Sequence, residues 1–197
     1  MPLPDEGSPV GGGRLSRVDR GILLEIARRS IDEGLHGRGP LSPDERKFPP
    51  QLRVPRATFT TLRIKGALRG CVGTTEAVRS LVASVADSAY AAAFRDSRFP
   101  RLAGTEMQGL DIHISVLSPL EPLDCASEEE LVAALRPGID GLTIREAGRG
   151  ASYLPAVWES LPEARRFVRE LKLKAGMGED HWSDSLRVWR FSAEEFG

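Results

Sequence analysis

Apolar residues recur at helical spacing from Val18 through Ile22, Ile26 and Ile31 until Gly34 supplies a stop. Ser16 followed by Asp19 has the form of a capping box, so the pattern predicts a first helix over about 17–33. Pro40, Pro43, Pro49, Pro50 and Pro55 then argue against helix and ladder strand, predicting a long surface loop over 36–56. Residues 58–64 alternate and are β-branched, Lys65-Gly66 reads as a turn, and residues 68–73 return, which makes a hairpin. Thr75 is the expected cap of a helix running to about Ala93, with Val78, Leu81, Val82, Val85, Ala89 and Ala92 on its apolar face. Leu110, Ile112, Ile114 and Val116 alternate with Asp111, His113 and Ser115, the clearest strand pattern in the chain.

The order then starts again. Ser127 and Glu130 form a second capping pattern ahead of Leu131, Val132 and Leu135, and Pro137-Gly138 stops that helix. Residues 139–145 and 151–154 read as strands around Gly148-Arg149-Gly150, Ser160 with Glu163 opens a helix to Gly176, and 186–191 is a last strand. The expected fold class is α+β: two similar helix-hairpin-helix-strand halves, about 16–120 and 126–192, with a mainly antiparallel sheet. Residues 1–15, rich in Pro and Gly, are expected to be a disordered tail ahead of one domain over 16–197.

Composition narrows the function classes. The 41% hydrophobic content fits a globular chain, and no apolar run approaches the roughly 18–20 residues that cross a bilayer. With no signal-peptide pattern at Met1–Glu6, the expectation is a soluble, cytoplasmic protein without a membrane partner, its Cys71 and Cys125 reduced. Net charge is −1, but 11 basic residues lie between Arg46 and Arg101 against only Glu76, Asp87 and Asp96, so that segment could attract an anionic small molecule. Neither an RNP-type aromatic motif nor Cys/His finger spacing is present, which argues against nucleic-acid binding and a structural metal.

One segment departs from ordinary packing. In Leu68-Arg69-Gly70-Cys71-Val72-Gly73-Thr74, two glycines flank a thiol at a strand end, which suggests close approach of a ligand or another chain segment. Alternation puts Arg69, Cys71 and Gly73 on one face, and a helix starting at Thr75 would aim its N-terminus toward the thiol; both would favour thiolate. The competing reading is a packed cysteine. We expect a cleft lined by Arg69, Gly70, Cys71, Gly73 and Thr74 with Arg95, Asp96 and Arg98, and with His113, Asp140 and Gly141 alongside.

This segment resembles the Leu-Arg-Gly-Cys-Ile-Gly-Thr signature of the AMMECR-type domain, whose prokaryotic members are called AmmeMemoRadiSam system protein A. Residues 92–100, Asp111–Pro119, 139–145 and 154–158 resemble further signatures of that family, with Val72 and Ser97 as mild departures. The resemblance implies a two-repeat α+β fold around a single curved sheet. It also implies association with a Memo-type protein and a radical SAM enzyme, and brings no accepted reaction or cofactor.

Two functional readings follow. In one, Cys71 is a nucleophile, Arg69 lowers its pKa and His113 is the base. In the other, the Arg69–Thr74 and Arg95–Arg98 segments form a recognition surface of an accessory protein. The second is preferred, because the sequence offers one candidate base and no residue to orient it. His36 and His181 read as surface residues.

Overall fold

The structure, a computed structural model, describes residues 14–197. In chain order the helices are α1 (Arg17–Leu35), α2 (Pro50–Arg53), α3 (Leu81–Phe94), α4 (Glu128–Ala134) and α5 (Ala164–Lys174). The strands are β1 (Thr58–Ile64), β2 (Ala67–Gly73), β3 (Leu110–Leu117), β4 (Glu121–Pro122), β5 (Gly141–Glu146), β6 (Arg149–Tyr153), β7 (Arg187–Phe191) and β8 (Ala193–Phe196). The chain is α+β with antiparallel pairing of β1 to β2 and β3, and of β5 to β6 and β7. It divides into two compact units, one ending at Leu117 and including Glu194–Gly197, the other spanning Ser118–Ala193.

The single curved sheet is replaced by two four-stranded sheets, ordered β2-β1-β3-β8 and β4-β7-β5-β6. The physical reason is that each sheet has its own apolar layer to bury. In the first unit Leu62, Ile112, Ile114 and Val116 join Leu23, Ile26, Ile31, Leu81, Val82 and Val85 in one core. In the second, Leu142, Ile144 and Val188 join Leu131, Trp158, Phe167 and Leu171. Each buried side chain of this size contributes roughly 1.5–3 kcal/mol.

Local chemistry explains the element boundaries. Ser16 Oγ accepts the Asp19 N–H at 3.1 Å while the Asp19 carboxylate accepts the Ser16 N–H at 3.2 Å, so the capping box at α1 forms as expected. Residues 1–13 of the expected tail lie outside the described residues. Leu15, assigned to that tail, is instead buried, and its N–H donates to Glu194. The expected surface loop over 36–56 contains α2, because Pro50 occupies the first helical turn, where a missing N–H costs nothing; its Leu52 is fully buried.

The helix expected from Thr75 starts only at Leu81, capped by Ser80. Leu81 N–H donates to Val54 O at 2.9 Å and Pro55 bridges Ser80, so long-range hydrogen bonds hold this stretch out of the helix. Val78, placed on an apolar helix face, is 73% exposed. In the second unit Ser127 caps α4 as expected, accepting the Glu130 N–H at 3.2 Å. Ser160 does not cap α5; its hydroxyl donates to Val157 O within the preceding 3-10 turn, and α5 begins at Ala164.

Candidate functional site

β2 is an edge strand of the first sheet, so its outward backbone groups have no strand of that sheet to pair with. At Cys71 two side chains take that role. Its N–H donates to Asp96 Oδ2 at 2.8 Å, and its carbonyl accepts from Arg98 Nη2 at 3.0 Å. Asp96 and Arg98 also bind each other, with Nη2 to Oδ2 at 2.7 Å and Nε to Oδ1 at 2.9 Å. The Arg98 guanidinium, helped by the Cys71 and Arg98 N–H groups, holds the Asp96 carboxyl well below the usual carboxylate range. Asp96 and Arg98 thus meet Cys71 at its backbone.

Arg69 goes elsewhere. The β1–β2 register pairs Leu62 with Gly70 and Arg63 with Leu68, leaving Arg69 as the extra residue of a bulge. A bulge re-aims its side chain, so the alternation that placed Arg69 beside Cys71 does not hold there. Arg69 clamps Glu106 through two hydrogen bonds, 2.7 Å from Nε and 3.0 Å from Nη2, and donates to Pro100 O at 2.8 Å. Its role is to hold the 100–106 loop, and Glu106 is a partner that alternation arguments do not reveal.

The two glycines answer to chain segments. A Cβ at Gly70 would lie 2.1 Å from Ala92 O, and one at Gly73 would lie 2.2 Å from Thr58 O. Thr74 donates its N–H to Thr58 O at 3.0 Å, and its hydroxyl accepts from Glu76 N at 3.0 Å. With α3 starting at Leu81, the helix N-terminus expected at Thr75 does not form there.

The half-buried Cys71 thiol accepts a hydrogen bond from Thr61 Oγ1 at 3.3 Å. Thr61 pairs with Cys71 on one side and with His113 on the other, so the three share a row across β2, β1 and β3. Cys71 and His113 are therefore on one sheet face but two strand spacings apart, about 10 Å. The imidazole is not in hydrogen-bond reach of the thiol. Arg95 is exposed, its guanidinium 4.9 Å from the Tyr90 ring centroid.

Asp140 and Gly141 belong to the second unit and serve its interior. Fully buried Asp140 is gripped by Arg136, which donates from Nη2 at 2.6 Å and from its backbone N–H at 2.8 Å, closing the 136–140 turn. Trp158 Nε1 donates to Asp140 O at 2.6 Å, and a Cβ at Gly141 would strike the Phe191 ring at 2.4 Å. These contacts serve turn closure and sheet packing.

His181, which reads as a surface residue in the sequence, is hydrogen-bonded to a carboxylate. Its Nε2 lies 2.6 Å from Glu146 Oε2, and Glu146 also accepts from the Ser183 and Ser185 hydroxyls. Those hydroxyls, Ser183 first, bring the Glu146 carboxyl down to about 2. Among the described residues, no group of three or more His, Cys, Asp or Glu is placed to hold a metal ion. No helix among them is long and apolar enough to cross a membrane.

A family model described as AMMECR1 matches residues 24–196. A protein of Methanothermobacter thermautotrophicus is 36% identical over 189 residues, covering 92% of this chain and 95% of that one. One of Thermofilum pendens is 34% identical over 200 residues, covering 93% and 92%. The crystal structure of an uncharacterised protein, PH0010, from Pyrococcus horikoshii is similar with a TM-score of 0.80 at 31% identity, over 88% of each chain. On the family match and these relatives together, this chain belongs to the AMMECR1 family.

Proposed function

We propose that this protein is a binding, accessory component of a modification pathway, presenting the β2 edge and the Arg95–Arg98 segment to a partner rather than performing catalysis alone. The observation that carries this reading is the environment of Cys71. A working thiol nucleophile needs a base within about 2.6–3.2 Å. Cys71 has a threonine hydroxyl at 3.3 Å, while the Arg69 guanidinium is committed to Glu106. What holds Cys71 instead is a backbone clamp from Asp96 and Arg98, with exposed Arg95 in the same segment of chain. The family resemblance supports a Memo-type protein and a radical SAM enzyme as the partners to try. An anionic small molecule is the alternative occupant of the same cationic rim.

Calorimetry with a purified Memo-type protein tests the reading. Binding is expected for the wild type and for Cys71→Ser, and should weaken by roughly tenfold in Arg95→Glu, the scale of one lost charge-assisted contact. Absence of binding in all three would overturn the choice of partner. Equal binding in Arg95→Glu would remove the segment from the surface.

The half-buried, still accessible Cys71 sulfur with its Thr61 hydrogen bond is the observation behind the second reading, a thiol-dependent enzyme. That reading requires the base to be brought by a partner.

A further inference from the structure

Between α3 and the end of β2 lies a cavity of about 220 Å³, lined by Val72, Gly73 and Thr74, by Glu76, Val78 and Arg79, and by Ser84, Asp87, Ser88 and Ala91 of α3. Residues 75–80, part of its wall, stay out of the helix, with Ser80 bridged to Pro55. Its inner wall carries the buried Ser84 and Ser88 hydroxyls, fixed by Thr58 Oγ1 at 2.8 Å and Thr60 Oγ1 at 2.7 Å. Val72 and Ala91 supply an apolar patch beside them.

The charged residues of the lining are Glu76, Arg79 and Asp87, and the Arg79–Asp87 ion pair is a loose one. Arg79 Nη1 and Asp87 Oδ1 are 3.9 Å apart, about 1 Å longer than a charge-assisted hydrogen bond. A mouth with one guanidinium beside the carboxylates of Asp87 and Glu76 suits a molecule that carries both a carboxylate and an ammonium. Small-molecule sites typically combine an apolar wall with a few placed polar groups, and this cavity has that composition. Its volume corresponds to about seven waters at roughly 30 Å³ each, the size of an amino acid with about eight heavy atoms.

We infer that this cavity binds a free L-α-amino acid with a small side chain, such as threonine, serine or valine. The carboxylate meets Arg79, the ammonium meets Asp87, and the side chain lies against Ser84, Ser88, Val72 and Ala91. The inference does not depend on the partner surface proposed above.

The test is calorimetric or ligand-observed NMR titration of the full chain with L-threonine, L-serine, L-valine, D-threonine, propionate, isopropylamine and glycerol. The expected result is saturable binding of at least one of the three L-amino acids. The D-enantiomer and the single-charge analogues should be weaker by roughly tenfold or more, as should that L-amino acid toward Asp87→Asn or Arg79→Gln. Both substituted residues are partly exposed, so these variants should fold, and circular dichroism checks that they do. No saturable binding of any of the three, unchanged affinity in both variants, or binding of glycerol alone would each overturn the inference.

Discussion

A methyl group at position 70 would have to share space with the Ala92 carbonyl oxygen of α3, a backbone atom that cannot rotate away. Gly70→Ala should therefore cost about 2–3 kcal/mol of stability, in the range of overpacked cores. Gly21 is the contrast: it sits inside α1 with nothing within 4 Å of an added Cβ, so Gly21→Ala should add about 0.5–1 kcal/mol. Urea unfolding of the pair checks both signs; a destabilised Gly21→Ala or a neutral Gly70→Ala would contradict the packing described. At this scale the sequence showed that Gly70 and Gly73 meet something closely. It could not show that β2 presses on α3 and β1 rather than on a ligand, because that depends on which helix crosses the strand. Arg69 was misplaced for a related reason: period-two alternation is broken by one extra residue, and nothing local in Leu68-Arg69-Gly70 marks the bulge.

At the scale of elements, the Asp96–Arg98 pair works as a substitute strand for the middle of the β2 edge. Removing the carboxylate in Asp96→Ala strips one acceptor from Cys71 and the partner from Arg98, a loss of about 2 kcal/mol for charged hydrogen bonds. The pH dependence has a definite sign. Because the folded state depresses the Asp96 carboxyl, its contribution is fully present above the unfolded value near 4 and is lost as pH falls below it. Urea midpoints measured between about pH 5 and 2 should fall less steeply in Asp96→Asn than in the wild type; parallel slopes would show that the pair is not formed. The hairpin and β3 were legible because their alternation is uninterrupted, and α1 and α4 because their caps are local. The start of α3 was not, since Thr75 is a sound cap by itself and is overruled by the Leu81 bond to Val54 and the Pro55–Ser80 bridge. β4 and β8, of two and four residues, are too short to leave a periodic signal.

Across the whole molecule, each unit runs helix, hairpin, helix, strand, and the first hairpin strand pairs with the strand after the helix in both sheets. Each sheet also gains a fourth strand from the segment following the other set's last strand, β4 after β3 and β8 after β7. We propose a structural duplication as the source of this order; superposing β1, β2, α3 and β3 on β5, β6, α5 and β7 tests it, and a failure to overlay would leave shared order alone. The repeated order was readable from patterning. The division into two sheets was not, because strand order across a repeat is decided by which apolar faces find a helix layer. The functional account rests on Cys71 being held for its backbone and not used for its sulfur. The direct measurement is pathway activity with the Cys71→Ser protein in place of the wild type, scored beside partner binding. Serine keeps the backbone bonds to Asp96 and Arg98, so the account predicts that activity and binding both persist. Retained binding with abolished activity would contradict it and make the thiol chemical.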